Sequence, residues 1–443
     1  MARTQHTQRW TDAHVRRLFW RAGFGATSEE ARYWAARSRT DTVDWLLRGG
    51  SGPPRPAFPK PSLGGRPLDP VNEYGQDVLW WLDKMIRTPR PLIEKMTLFW
   101  HDHFATLDQD RPLQLAQNKM LRRNALGSFR RLLSDVTKDP AMLLFLSLAN
   151  STKEQPNENY ARELMELFTL GSGYTETDIR EASRALTGFR SKRRGDGTVA
   201  VLYDAKAHDA TTKKLFGQRG NFDYRDVLDL CIDHPPHAPF LVSKLWDYFV
   251  GTPIEPSARA RLAGVYRGQG HQIAPVVREI LEHPALYGGL GAPDVVKSPV
   301  VYVVGSLRAC GEGIASREWV DLLEGMGQLP FSPPSVAGWE WGTAWLSSNT
   351  MHMRFDVANA LLEGRRRVRD GGARKDDTPA EAVARARVAV DRPWTSAATD
   401  AQLLKLATRL LTGAPPSERQ QRADMCQRVL RHLLLAGPDA QVH

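Results

Sequence analysis

The chain has 443 residues, 42% of them hydrophobic, and 60 Lys and Arg against 50 Asp and Glu give it a net charge of +10. That length and composition allow a large core and roughly two to four domains, and they exclude a disordered chain. The basic residues are spread along the sequence without an interleaved aromatic reading motif, so nucleic acid is not an expected partner, and Cys231, Cys310 and Cys426 have no C-x-x-C spacing, which excludes a disulfide framework or a zinc knuckle.

In chain order, Thr11 opens a helix through Arg21, and Thr27 with Glu30 opens another through Arg37. A Gly-, Pro- and Ser-rich loop runs from Gly49 to Pro70, long enough to be a lid or the edge of a cleft. Asn72–Ile86, Pro91–Phe104 and Leu115–Val136 follow as helices. The densest polar pattern is Pro156–Gly188, PNENYARELMELFTLGSGYTETDIREASRALTG. Its first helix carries Glu158, Asn159, Arg162, Glu163 and Glu166 on one arc, with Tyr160, Ala161, Leu164, Met165, Leu167 and Phe168 on the other. Gly171 stands where a left-handed C-terminal residue is wanted, and Thr175 with Asp178 forms a capping box for the next helix. In the stretch that follows, VAVLY reads as one strand of a hairpin. Further helices are expected over Asp223–Ile232, Pro239–Val250, Ser257–Gly268, Ile273–Glu282, Lys297–Leu307 and Ser348–Leu362, with three more after Pro379. The expected architecture is all-α: a main helical domain over 1–363 with a surface insertion at 191–222, a linker at 364–378, and a C-terminal helical segment at 379–443 packed on the main domain.

Four groups of residues invite a chemical reading. In WHDHFA, His103 lies in the apolar arc of its helix and His101 points away, because residues two apart on a helix are about 200° apart. Two readings stand for His103: a hydrogen-bonded core residue, or an imidazole meeting the acidic arc of the central helix. On the second, His101, His103 and Glu163 would be ligands to a divalent metal, although the H-E-x-x-H signature is absent. His208 and Asp209, followed by Lys213 and Lys214, read as a solvated loop or as an anion clamp with a proton donor. Trp339, Trp341 and Trp345 read as core packing or as planes that stack on a sugar or a cation. Glu163 or Glu166 paired with Glu340 would suit glycoside hydrolysis. A G-x-S-x-G elbow, a P-loop and a dinucleotide-binding fingerprint are all missing from the sequence, so serine-nucleophile, nucleotide and nicotinamide chemistry lack support.

Seven segments in order resemble the bacterial domain-of-unknown-function family 1800: RLFWRAGFGAT, FWHDHFAT, the Asn157–Phe189 segment, HDATTKKLFG, HPPHAPFLVSKLWDYFV, VKSPVVYVVGSLRACG and FSPPSVAGWEWGTAW. The resemblance implies one large, mostly helical protein without an assigned reaction, from a group commonly secreted and commonly encoded beside a sulfatase-like partner. No apolar run of signal-peptide length opens the chain and none of 18 residues occurs within it, so the sequence as written reads as cytoplasmic and without a transmembrane segment. The leading expectation is a hydrolase with a His and Glu site between helices. In it Glu163, Glu166, His103 and His208 are catalytic, and Arg162, Asn159, Trp339 and Trp341 bind an anionic or carbohydrate substrate. The alternatives are a non-catalytic binding or assembly protein whose Glu and Arg network is structural, and a glycoside-active enzyme using paired carboxylates.

Overall fold

Capping residues decide where the helices begin. Thr27 and Glu30, Ser38 and Asp41, Thr175 and Asp178, Asp223 and Asp226, and Thr378 and Glu381 each make a reciprocal capping box, which satisfies backbone N–H groups that a first helical turn leaves unpaired. The computed structural model describes residues 9–54, 56–107, 110–195, 198–363 and 372–443. Over these the chain is all-α apart from two small hairpins. The helices are α1 (Asp12–Arg21), α2 (Ser28–Ala35), α3 (Arg39–Arg48), α4 (Gln76–Arg87), α5 (Pro91–His103), α6 (Arg111–Asn124), α7 (Phe129–Thr137), α8 (Pro140–Phe145) and α9 (Asn159–Glu163). After them come α10 (Glu176–Ala185), α11 (Tyr224–Asp233), α12 (His237–Phe249), α13 (Pro256–Gly268), α14 (Ile273–Glu282), α15 (Pro299–Cys310) and α16 (Glu318–Gly325). The last four are α17 (Ser348–Glu363), α18 (Pro379–Ala389), α19 (Ala397–Leu411) and α20 (Arg419–Ala436).

The single helix expected over Leu115–Val136 is two, α6 and α7, because Gly127 interrupts it and the Ser128 hydroxyl accepts the Arg131 N–H as a new cap. Helices α3, α8 and α16 go beyond the sequence reading; α3 carries a legible S-x-x-D box, and the other two are short. The VAVLY strand is present: β1 (Phe189–Arg193) pairs antiparallel with β2 (Val199–Tyr203), Phe189 facing Tyr203. A second hairpin, β3 (Lys213–Leu215) and β4 (Gln218–Gly220), turns through Phe216 and Gly217, both at positive φ, as a two-residue turn between right-twisted strands requires. Residues 364–371 lie outside the described residues, and most of the expected linker falls on them.

Two apolar cores organise the molecule. The first draws on α1–α3 and α5–α14 around Trp100, Phe129 and Leu245. The second draws on α4 and α15–α20 around Trp81, Tyr302 and Leu430. Leu98 of α5 and Leu115 of α6 join the second core, so these helices serve both. The Tyr302 hydroxyl reaches the carbonyls of Arg354 (3.0 Å) and Leu435 (2.9 Å), fastening α15 to α17 and α20.

The capping box at Thr175 and Asp178 fixes the turn between α9 and α10. Thr175→Ala is therefore expected to lower stability by about 1 kcal/mol, read as a shift of the urea midpoint without a change in slope.

Candidate functional site

The arc assignment for the central helix holds: Tyr160, Ala161, Leu164, Met165 and Phe168 are buried, and Leu167 is half-buried. What the helical period does not anticipate is the second half of this helix, where Leu164–Thr169 widens into a π-turn. Gly171 follows at φ 71°. The last carbonyls of a helix have no intrahelical partner, and three successive ones at this end are taken up by side chains from elsewhere. Lys244 Nζ donates to the Leu167 carbonyl (3.3 Å), His103 Nε2 to Phe168 (3.1 Å) and His237 Nδ1 to Thr169 (2.9 Å). Basic side chains at the electronegative end of a helix are favoured by its dipole. His237 and Lys244 lie seven apart on α12, two turns, and so share a face.

The partners fix the tautomer of His103. A carbonyl can only accept, so Nε2 carries the proton, and Nδ1 is left to accept from the Lys244 ammonium at 3.2 Å. The ring stacks on Phe99 and packs edge-on against Trp100 and Phe104. Burial, with the nearby Lys244 charge, holds His103 well below the ordinary imidazole range. His237 is likewise held down to about 4 by burial, with Nε2 paired to the Tyr266 hydroxyl.

The C-terminal end of α5 also receives the tryptophan-bearing loop. The Phe331 N–H donates to His101 Nε2 (2.9 Å), and the Asp102 carboxylate accepts the Trp339 N–H (2.8 Å) and the Trp341 indole N–H (3.1 Å). Gly338 is needed for this approach: at φ 82°, a Cβ there would sit 2.3 Å from Asp102 Oδ1. His101 is a buried neutral acceptor, depressed to about 3 by burial alone. Burial pushes Asp102 up to about 6, against the pull of its two donors and of Lys244. Burial lowers Lys244 in turn, with Asp102 opposing. These two groups sense each other's charge without forming an ion pair. Beside them Trp341, 43% exposed, packs edge-on to Tyr248, whose hydroxyl donates to the Lys95 carbonyl.

The expected meeting of His103 with Glu163 and Glu166 is not what the central helix presents. Its buried arc faces His103, so contact is made through backbone carbonyls, and the acidic arc lies on the other side. Glu163 is half-buried and raised by burial and by Glu166, while Glu166 is exposed. Arg162 is engaged by Glu176 through two 2.8 Å hydrogen bonds and by Glu158 at 3.4 Å, and Asn159 is exposed. His208, on the insertion, bonds to the Thr187 carbonyl at 3.1 Å, just past the end of α10. The neighbouring Lys213 gives its ammonium to the carbonyls of Asp209, Thr211 and Phe222, and Asp209 is paired with Arg184, which leaves that knot filled by its own chain. Trp339 is buried against His101, and Glu340 is exposed. His101, His103 and Glu163 do not gather: both His103 nitrogens and His101 Nε2 are engaged, and among the described residues no group of three His, Cys, Asp or Glu side chains could hold a metal ion. The expected ligand set therefore does not fit a divalent metal.

Asp102, Lys244, His237 and Tyr248 are the participants that sequence reasoning missed, although HDH and the H-x6-K spacing were there to be weighed.

Fold and junction together define an all-α protein of many short helices, pinned where the motif-bearing ends of α5, α9 and α12 converge. The chain belongs to the family described as "Protein of unknown function (DUF1800)", whose model matches residues 17–442. No curated protein and no solved structure matches the chain. Among the described residues no helix is long and apolar enough to cross a membrane.

Proposed function

We propose that the protein is a hydrolase whose proton-transfer pair is Asp102 and Lys244. One observation carries this reading: a carboxyl raised to about 6 and an ammonium lowered by the same burial lie within each other's field but are not paired. Environments that bring an acid and a base toward neutrality from opposite sides suit general acid–base work. His103 positions Lys244 rather than reacting itself, and the exposed face of Trp341 is the platform for a carbohydrate-like or other flat substrate.

A second reading has its own observation. His103, His237 and Lys244 each cap a carbonyl of the π-turn, so the motif residues would serve as fasteners of a binding or assembly scaffold, with the Arg162–Glu176 pair on its surface.

The two separate in one experiment on chromogenic ester, phosphate, sulfate and glycoside substrates. Asp102→Asn keeps one carboxamide oxygen as acceptor, and Lys244→Met keeps the stem. On the hydrolase reading, the parent protein turns over at least one substrate and that turnover falls about 100-fold or more in both variants, measured at a temperature where circular dichroism shows them folded. Absence of turnover in the parent protein, with melting temperature lost in both variants, would leave the scaffold.

A further inference from the structure

Away from that junction, a cavity of about 310 Å³ opens between α1, the middle and end of α15, residues 390–394 and the C-terminal residues. We infer that it binds a small organic anion, its acidic head held by Lys297 and its apolar or aromatic body lying against Trp20 and Phe24.

The first ground is an imbalance of buried charge. Lys95, Lys297 and Arg354 are 3%, 7% and 0% exposed, and none of them forms an ion pair among the described residues. Lys297 and Arg354 give hydrogens to neutral oxygens instead, Lys297 to the Ala440 carbonyl at 2.7 Å and Arg354 to Gln441 Oε1 and the Lys297 carbonyl, while nearby Arg21 donates to the carbonyls of Phe249 and Val250 and to the terminal oxygen of His443. Lys95 makes one long contact, 3.4 Å to the Trp20 carbonyl. Carboxylates at the wall are turned to other tasks: Asp12 to Arg16 at 2.7 Å, Asp391 to the Ser28 N–H, and Asp439 to the Ser396 N–H. Asp294 attracts Arg17 and Arg21 only from a distance. Buried cations without a counter-charge are costly, and an incoming anion relieves that cost.

The second ground is Lys297 itself. It is more than nine-tenths buried and lines the cavity, and its ammonium lies 4.1 Å over the Trp20 ring. Among the described residues the Ala440 carbonyl is its one hydrogen-bond acceptor, although an ammonium carries three N–H groups. His443, 8% exposed in the same wall, has an unpartnered Nδ1. Burial, with the nearby Arg354 charge, lowers Lys297 to about 7. The volume falls at the small end of the range of about 300–1,000 Å³ usual for organic ligands, and Phe24, Tyr302 and Trp394 add aromatic wall to it.

The probe is 8-anilinonaphthalene-1-sulfonate, an aromatic sulfonate, titrated into the full folded chain at pH 6 and compared with the uncharged N-phenyl-1-naphthylamine. Saturable binding at one site is expected. Lys297→Met should weaken the sulfonate about tenfold or more and leave the uncharged dye unchanged, while Lys297→Arg retains the sulfonate. Ala309→Phe, which puts a ring into the same space, should weaken both dyes, with circular dichroism confirming the fold. The proposal is overturned if the parent protein fails to bind the sulfonate, if Lys297→Met binds it as tightly as the parent does, or if folded Ala309→Phe still binds both dyes.

Discussion

Lowering the pH from 6.5 to 4 is expected to cost the protein at least about 3 kcal/mol of stability, with His101 and His237 among the main contributors. Both rings are buried and neutral in the folded chain, held at about 3 and about 4 against an ordinary 6.5. A group depressed on folding gives stability that is complete above its unfolded value and is lost as pH falls, because the unfolded chain takes up the proton first. At about 1.4 kcal/mol per pH unit, each ring loses about 3 kcal/mol by pH 4. His103 and His443, also held well below 6.5, act in the same direction. Asp102 opposes them: raised to about 6, it takes up its proton in the folded state first, and so returns at most about 3 kcal/mol over the same interval. Asp77, Asp83 and Glu163, also raised by burial, add smaller terms of that sign. Urea midpoints at pH 6.5, 5 and 4 measure the sum. His237→Phe should lower stability at every pH, because the Thr169 carbonyl and the Tyr266 hydroxyl lose their partner, yet it should flatten the acid slope by about its share. A level profile in the parent protein would contradict the burial argument.

Much of the fold was legible because its determinants are local. Thr27 with Glu30, Thr175 with Asp178, and Gly171 are signals read within four residues, and each does what its spacing implies. VAVLY announced a strand by composition. The break at Gly127 was the local feature that a continuous apolar pattern hid. The candidate site was less legible because it is assembled over long separations. His103 meets Lys244 from 141 residues away, and Asp102 meets the Trp339 N–H from 237 residues away. One part of the misplacement was avoidable in principle. His103 sits in the apolar arc of α5, and an apolar arc packs against another apolar arc, so the carboxylates of the central helix were bound to lie on its far side. Polar contact occurs there because the helix ends, which leaves the Leu167, Phe168 and Thr169 carbonyls as acceptors, and the π-turn by which it ends is not encoded by any 3.6-residue pattern.

Arg308→Met is expected to destabilise the protein by about 3–5 kcal/mol, the range for removing one partner of a buried ion pair. Arg308 belongs to α15 in the second core and Glu30 to α2, which packs on the first, so their contact joins the two. The guanidinium reaches both carboxylate oxygens, at 2.8 and 3.1 Å, and also donates to the Ile86 carbonyl at 2.6 Å and to Gly25 at 3.4 Å. Both side chains are about nine-tenths buried. Glu30 cannot be freed without further loss, because it also accepts the Thr27 N–H at 2.7 Å and so closes the capping box of α2. Removing the arginine leaves that buried carboxylate without its counter-charge and orphans two carbonyls; methionine restores only the packing. Adding Glu30→Gln removes the stranded charge but keeps an oxygen for the Thr27 N–H, so the double variant should be more stable than Arg308→Met alone. A coupling energy of about 1–3 kcal/mol between the two sites is then expected from urea denaturation of the four proteins. Strict additivity, or a loss below about 1 kcal/mol for Arg308→Met, would mean that apolar contact alone holds the two cores together and that this pair is incidental to it.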